Sequence, residues 1–301
     1  MATPSTPRAR RRVTRVALVA GACAFVASAL LANPALASSS RPRGVDIRVI
    51  EAAGVEQWLH CRGSGPVTVV VISGLHSSVS DWSRVSWPLA KITRTCFYDR
   101  PGLGHSPARP DPNQILNAGL YADELTALLK AAHEPGPYVV IGHSFGGLVA
   151  RAFVRKHLGS VSGVLLAESV DPGDKTLGKY WSEAGHQIDM VASTRAAGDG
   201  PRIGSRPLLV LSASRPDEDH LKGPLYGLPE WMIQQWRDEQ HEDVHLSRNS
   251  MQVIARSGHV LQQDNPQAVI AAVRTLVVAV ERHSWLTCSY DWSRVHAVCR
   301  D

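Results

Sequence analysis

The sequence predicts an α/β fold in which a mostly parallel sheet of eight strands carries helices on both faces. The chain has 301 residues, of which 44% are hydrophobic and 20% are charged. This is enough for one large domain with a substantial core, although length alone also allows two small domains. Short runs of Val, Ile and Leu alternate with longer segments whose apolar residues recur at helical spacing. This alternation is typical of parallel sheets covered on both sides.

The predicted strands are short, rich in β-branched residues and separated by segments that contain Gly, Pro or polar residues. In chain order they are residues 47–51, 56–61, 67–73, 95–99, 138–142, 163–169, 207–213 and 251–255.

Three segments between these strands predict helices, because they are too long for strands and their apolar residues have helical spacing. They are residues 115–132, 146–158 and 266–283. Residues 171–204, after the sixth strand, mix Trp181, glycines and charges without a clear period. We interpret this segment as a small cap or lid, with a plain surface loop as the alternative.

The first 37 residues have the pattern of a signal peptide. Arginines are concentrated in residues 8–15, an apolar run follows, and the small residues Ala35 and Ala37 predict cleavage before Ser38. The alternative is an uncleaved anchor, because the apolar run approaches the ~20 residues that span a bilayer. We therefore expect an exported protein, secreted or held in the cell envelope, with membrane contact only if the leader is retained.

Removal of residues 1–37 would take away five arginines and no acidic residue, so the formal net charge falls from +5 to zero. The remaining chain comprises a flexible Ser/Pro/Arg linker at 38–44 and a domain at 45–301. The basic balance of the whole chain therefore does not indicate a nucleic-acid partner, and the sequence has no basic patch with interleaved aromatic residues. The oligomeric state is left open.

Four cysteines follow the predicted leader, and an even number in an exported chain favours two disulfides. Cys288 and Cys299 bracket a short C-terminal segment, which leaves Cys61 to pair with Cys96. Free buried thiols are the alternative.

Ser144 lies in the pattern G-x-S-x-G, where it follows a predicted strand and precedes a predicted helix. Glycines beside a serine at such a sharp turn avoid steric clashes and let the hydroxyl project above the sheet. The start of the helix would direct backbone N–H groups to the position of a developing oxyanion. The pattern predicts that Ser144 is a nucleophile, with an ordinary strand-to-helix turn as the alternative.

Three motifs in a fixed order make the chain resemble the α/β-hydrolase superfamily, in its esterase-like and lipase-like branch with a serine nucleophile. They are YDRPGLGHS at 98–106, the turn around Ser144, and SGHVLQQDNPQAV at 257–269. The resemblance covers nearly all of the chain after the leader and implies the α/β-hydrolase fold. It also implies that the second strand lies beside the fourth, which would place Cys61 near Cys96.

The resemblance implies the chain order serine, acid, histidine. A serine hydroxyl needs a base to accept its proton, and the base needs a carboxylate to orient it. His259 follows the last predicted strand and precedes the final helix, so it is the predicted base.

Two carboxylates are the main candidates for the acid, with Asp171 as a further alternative. Glu168 is preferred, because it ends an apolar strand where an ionised group needs a partner, and some superfamily members place the acid after the sixth strand. Asp217 is the alternative: it follows the seventh strand, the commoner place in the superfamily, but lies in a charged loop that resembles a solvated surface.

The resemblance assigns the oxyanion hole to the backbone N–H groups of Phe145, which follows the serine, and of Leu75, after the third strand. Ser73 stands where the superfamily usually has the histidine of a His-Gly pair, so the chain departs from the pattern beside Leu75.

Residues 241–245 read HEDVH and match the zinc motif H-E-x-x-H. A metalloprotease is therefore a remote alternative, but charged residues surround the motif on most sides, whereas a metal-binding helix packs an apolar face into a cleft. We interpret the segment as an exposed amphipathic helix that covers the sheet.

These observations predict an exported serine hydrolase that cleaves small carboxylic esters or related acyl substrates through an acyl-enzyme. No metal and no organic cofactor is expected. A peptidase or amidase of the same fold would share every residue named, and a non-catalytic binding protein is a further alternative. A serine at the turn argues against epoxide hydrolases and haloalkane dehalogenases, which resemble this fold but have aspartate there.

Overall fold

The computed structural model describes residues 1–2, 44–174, 178–198, 202–215 and 227–300. The candidate acid Asp217 lies outside these residues, as do the predicted leader beyond its first two residues and the linker up to residue 43. Within the described ranges, the helices are all too short or too polar to cross a bilayer.

The strands of the described chain are β1 Asp46–Ala52, β2 Val55–Arg62, β3 Thr68–Ile72, β4 Arg94–Asp99, β5 Tyr138–His143, β6 Val161–Ala167, β7 Tyr180–Glu183, β8 His186–Asp189, β9 Leu208–Ala213, β10 Ser250–Ala255 and β11 Ala297–Arg300. The helices are α1 Ser83–Ala90, α2 Ala118–Ala131, α3 Phe145–His157, α4 Met190–Ala197, α5 Glu230–Glu242, α6 Leu261–Asp264 and α7 Pro266–Arg282.

The main sheet has the order β1-β2-β4-β3-β5-β6-β9-β10-β11. Its centre, from β4 to β10, is parallel, whereas β1, β2 and β11 pair antiparallel at the two edges. All eight predicted strands are present. The ninth strand, β11, was missed because its four residues are too few for a periodic pattern.

Two cores lie on opposite faces of the sheet, and alternate residues of each central strand point to different cores. Val140 of β5 packs in the core that contains α2 and α3. Its neighbours Val139 and Ile141 pack in the core that contains α1 and α7. The sheet is therefore covered on both faces, as predicted.

The predicted cap segment contains a hairpin of β7 and β8 followed by α4. The hairpin turns at Ala184 and Gly185, both of which have positive φ. Ile188 of β8 is fully buried and pairs with Leu116, just before α2. Sequence periodicity did not reveal the hairpin because each of its strands is only four residues long.

Both predicted disulfides are present. Cys61 on β2 and Cys96 on β4 face each other in the antiparallel register, and both are buried. The strand adjacency implied by the resemblance is therefore what brings these two cysteines together.

The Cys61–Cys96 disulfide closes a loop with a sequence separation of 35 residues. We expect the double variant Cys61→Ala/Cys96→Ala to lose about 2–4 kcal/mol of unfolding free energy, because the cross-link restricts the unfolded chain. Urea unfolding without reductant measures this loss, and the difference from the native protein should shrink when both are reduced. Equal stability under oxidising conditions would contradict the expectation.

Candidate active site

Ser144 lies at the turn between β5 and α3 and has a positive φ, which residues other than glycine rarely adopt, with φ +54° and ψ −126°. Glycines make this turn possible. A Cβ atom on Gly142 would lie 2.7 Å from the Cβ of Ala150, and one on Gly146 would lie 2.3 Å from the carbonyl oxygen of Ile72. The strained serine is thus held at the carboxyl edge of the sheet by close packing on both sides.

His259 follows β10 and Glu168 follows β6, so both also lie at the carboxyl ends of parallel strands. The structure brings these two side chains together: Nδ1 of His259 is 3.3 Å from Oε2 of Glu168, and both residues are buried. Among the described residues, Nε2 of His259 has no hydrogen-bond partner. A ring held at Nδ1 with Nε2 unpaired is arranged to accept a proton at Nε2.

The Glu168 carboxylate has three donors. Oε1 accepts the N–H of Ala213 at 2.7 Å, and Oε2 accepts the indole N–H of Trp236 at 2.9 Å, in addition to its contact with His259. These contacts supply the partners that a fully buried carboxylate requires.

Helix α5 supplies two residues that sequence reasoning missed. The indole of Trp236 lies against His259, with 5.7 Å between ring centroids, and holds the same carboxylate. Gln240 accepts the N–H of Ser169 at 3.2 Å and donates to its carbonyl at 2.6 Å. Helix α5 therefore holds Glu168 through Trp236 and the following residue, Ser169, through Gln240.

His143, the residue before the serine, is a third residue whose role sequence reasoning missed. Its Nε2 donates to the backbone carbonyl of His259 at 2.9 Å. Burial and the neighbouring His259 lower the pKa of His143 to about 3, so this ring is neutral at physiological pH. His143 thus fixes the backbone of His259.

Both predicted oxyanion donors belong to residues near Ser144. Phe145 begins α3, and N–H groups in a first helical turn have no acceptor within the helix. Gly74 packs against the serine so closely that a Cβ on it would lie 3.1 Å from the Cβ of Ser144. Leu75 follows in the same loop, so its N–H lies in the neighbourhood of the serine.

The HEDVH segment does not lie on one α-helix. Helix α5 ends at Glu242, and a 3₁₀ turn carries His245. His241 is instead 3.1 Å from the amide oxygen of Gln252. In the described chain, neither histidine belongs to a group of three potential metal ligands. The predicted exposed helix is also wrong at one position, because Asp243 is buried and pairs with Arg151 at 2.6 Å.

Glu239 lies on the same helix, half-buried and close to three acidic side chains. Burial raises the pKa of Glu239 to about 7; a hydrogen bond from Gln235 opposes the shift, and the carboxylates of Asp174, Asp171 and Asp243 add to it. The folded protein therefore binds this proton more tightly than the unfolded chain, whose ordinary value is 4.5. The resulting loss of stability grows as the pH rises from 4.5 to about 7.

We expect Glu239→Gln, which cannot ionise, to raise the unfolding free energy by about 1 kcal/mol at pH 8, after allowance for solvent screening. At pH 4 the native side chain is already neutral, so the two proteins should be equally stable. Urea unfolding at both pH values tests this, with Glu242→Gln as an exposed control. An equal change at both pH values would argue against a titrating Glu239.

A surface cavity of about 450 Å³ opens near the amino end of β5 and is lined in part by Tyr138, Phe153 and His157. Ser144 follows the other end of this strand. The cavity is therefore separate from the candidate active site.

Comparisons with known proteins agree with this architecture. A thermophilic esterase from Thermogutta terrifontis superposes with a TM-score of 0.59 at 18% identity, covering 78% of this chain and 99% of that chain. A pimeloyl-[acyl-carrier protein] methyl ester esterase from Chromobacterium violaceum is 39% identical over 107 residues, which is 35% of this chain and 37% of that protein.

An uncharacterized protein of Schizosaccharomyces pombe is 28% identical over 193 residues, or 62% of this chain. The chain spans a third or less of the length of the fungal relatives that it matches, which include a vacuolar membrane protein of Saccharomyces cerevisiae. The family model for the α/β hydrolase fold matches residues 67–250, more than half of the chain, so the chain belongs to the α/β hydrolase family.

Proposed function

We propose that this protein is an exported serine hydrolase that cleaves carboxylic esters of small molecules through an acyl-enzyme. Ser144 is the nucleophile, His259 the base and Glu168 the acid. The observation that carries the proposal is the buried contact between His259 and Glu168, at the sheet edge that also presents the strained Ser144.

In the first half-reaction, Nε2 of His259 takes the proton from the Ser144 hydroxyl while Oγ attacks the carbonyl carbon of the ester. The N–H groups of Phe145 and Leu75 donate to the oxyanion of the tetrahedral intermediate. Nε2 then returns the proton to the leaving alcohol, and the acyl group remains on the serine. In the second half-reaction, water attacks the carbonyl carbon of the acyl-enzyme while Nε2 of His259 takes its proton. Nε2 then returns the proton to Oγ of Ser144, and the carboxylic acid product is released.

Glu168 supports this cycle because it selects the protonation state of the His259 ring. Because Oε2 is a hydrogen-bond acceptor, it favours the tautomer of His259 with a proton on Nδ1 and leaves Nε2 as the acceptor. The same carboxylate stabilises the imidazolium that forms when Nε2 takes the serine proton.

The ester preference is supported by the similarity to the Chromobacterium violaceum methyl ester esterase. Because the match covers about a third of each chain, it supports the bond type rather than a particular acid or alcohol. Export is supported by the leader-like sequence and by two disulfides, which are typical of proteins in oxidising compartments.

A fluorophosphonate probe, followed by mass spectrometry of the labelled peptide, tests the proposal directly. We expect one label, on Ser144, together with turnover of p-nitrophenyl esters in a panel of acyl lengths. Matched p-nitroanilides should react much more slowly, and the opposite order would indicate an amidase or peptidase. A folded protein that neither takes the label nor hydrolyses any ester would contradict the proposal and favour a binding protein.

A further inference from the structure

We infer that the buried pair Arg100–Glu183 is a positioning unit that sets the direction of the Leu75 N–H in the oxyanion hole. The inference rests on the proposed function. Glu183 comes from the hairpin of β7 and β8, so it makes that hairpin part of the catalytic architecture.

Arg100 lies just after β4 and holds the loop that follows β3. Its Nη1 donates to the carbonyl oxygen of Ser73 at 2.7 Å, and its Nη2 donates to that of Gly74, also at 2.7 Å. Residues 73–76 of this loop, which include Leu75, are called the oxyanion loop below. Two of its consecutive carbonyls are therefore bound by one rigid guanidinium.

Glu183 holds the same guanidinium and the next peptide of the loop. Its two oxygens accept from Nε and Nη2 of Arg100 at 2.7 and 2.6 Å. Oε1 also accepts the backbone N–H of His76 at 2.9 Å, and Oε2 accepts the hydroxyl of Tyr121 at 2.8 Å. The carboxylate thus joins the hairpin, α2 and the loops after β3 and β4.

These contacts orient Leu75 from both sides. In a trans peptide the carbonyl and the N–H of the next residue point in opposite directions. Because Arg100 holds the Gly74 carbonyl, it also fixes the direction of the Leu75 N–H. Because Glu183 holds the N–H of His76, it fixes the Leu75 carbonyl in the following peptide.

The pair is rigid because it is buried and matched in charge. The side chain of Arg100 is 2% exposed and that of Glu183 is 0% exposed. Burial alone would raise the pKa of Glu183, but the Arg100 guanidinium outweighs it and lowers that pKa. An ionised, bidentate pair without solvent is suited to hold backbone groups in one geometry.

The hairpin turn itself is packed against the loop after β4. A Cβ atom on Gly102, which has φ +81°, would lie 2.7 Å from the Cβ of Ala184. The next residue back along the hairpin is Glu183. Displacement of the hairpin would therefore withdraw the carboxylate that orients the oxyanion loop.

The test compares Glu183→Gln with Glu124→Gln. Glu124 forms a similarly buried bidentate pair with Arg109, at 2.6 and 2.7 Å, and that guanidinium also lies against Tyr121. The described hydrogen bonds of this second pair do not include the oxyanion loop. Both variants remove one carboxylate charge from a buried arginine, so a purely structural role predicts equal effects.

We expect Glu183→Gln to lower kcat for a p-nitrophenyl ester about 10- to 100-fold with KM within about 3-fold, because a misdirected donor weakens transition-state stabilisation. Glu124→Gln should keep kcat within about 3-fold of the native value, although its melting temperature falls about as much as that of Glu183→Gln. A trifluoromethyl ketone forms an adduct with serine that carries the oxyanion. In the Glu183 variant its affinity should fall in parallel with kcat/KM, whereas in the Glu124 variant it should stay near the native value.

Equal kcat losses in the two variants, or a loss confined to KM, would overturn the inference. If Glu183→Gln does not fold, Glu183→Asp carries the test, because it keeps the charge but withdraws the carboxylate by one methylene from the loop. An unchanged kcat in that variant would also overturn it. Failure of the proposed function is distinguishable, because the native protein would then lack both ester turnover and the fluorophosphonate label.

Discussion

Replacement of Ser144 by alanine is expected to lower kcat for ester hydrolysis by about 10⁵- to 10⁶-fold, since loss of a nucleophile removes the acyl-enzyme route. The melting temperature should change by only a few degrees. The substitution deletes one hydroxyl and keeps the Cβ atom, so the backbone strain at φ +54° is the same in both proteins. Initial rates on a p-nitrophenyl ester and a thermal melt give both quantities.

Ser162→Ala is the matched control for this variant. Ser162 lies on β6 and donates to the carbonyl of Tyr138, near the opposite end of the sheet from Ser144. We expect the control to keep native kcat and full labelling by the fluorophosphonate probe. Undiminished labelling of Ser144→Ala would show that the probe reacts elsewhere and would refute the assignment of the nucleophile.

Replacement of Glu168 by glutamine is expected to lower kcat by about 10³- to 10⁴-fold, because an amide cannot stabilise the imidazolium and permits the wrong tautomer of His259. The change is nearly isosteric. A glutamine oxygen can still accept the N–H of Ala213 or of Trp236, so the variant should remain folded. Steady-state kinetics beside a urea unfolding curve separate the loss of catalysis from a loss of stability.

Asp217→Asn is the comparison that decides between the two candidate acids. With Glu168 already in contact with Nδ1 of His259, this variant should keep kcat within about 3-fold of the native value. A large loss in Asp217→Asn beside a near-native Glu168→Gln would transfer the role of the acid to Asp217.

The fold class could be predicted from the sequence because its signals are local and repeated. Each central strand carries its own apolar run, and α2, α3 and α7 carry their own helical period. The family comparison and the observed sheet confirm this prediction. The strands that were missed, β7, β8 and β11, are four residues long, and such short strands form only where neighbouring elements supply their partners.

The candidate nucleophile and base could also be named from the sequence, because each belongs to a short contiguous motif. The strand, the turn and the helix around Ser144 are specified by adjacent residues, including the glycines whose Cβ atoms would clash. His259 is identified by its place between the last parallel strand and the last helix. Both assignments remain predictions until the variants are measured.

The environment of the acid was decided by tertiary structure. Glu168 meets His259 across 91 residues and Trp236 across 68 residues, and no local pattern links these positions. Likewise, Arg100 and Glu183 are 83 residues apart, and each taken alone reads as an ordinary surface charge. Asp243 was placed on an exposed helix for the same reason, because its buried partner Arg151 lies far away in the chain.

The sequence by itself thus determined the α/β class and the serine turn, because hydrophobic period and steric demands act between near neighbours. The pairing of Cys61 with Cys96 followed instead from the even number of cysteines and from the strand order that the resemblance implies. Only the tertiary structure decided the partners of Glu168, which the sequence had already preferred as the acid, and the ion pair that holds the loop after β3. A charge is stable in the interior only beside a partner, and that partner is chosen by how the strands and helices pack.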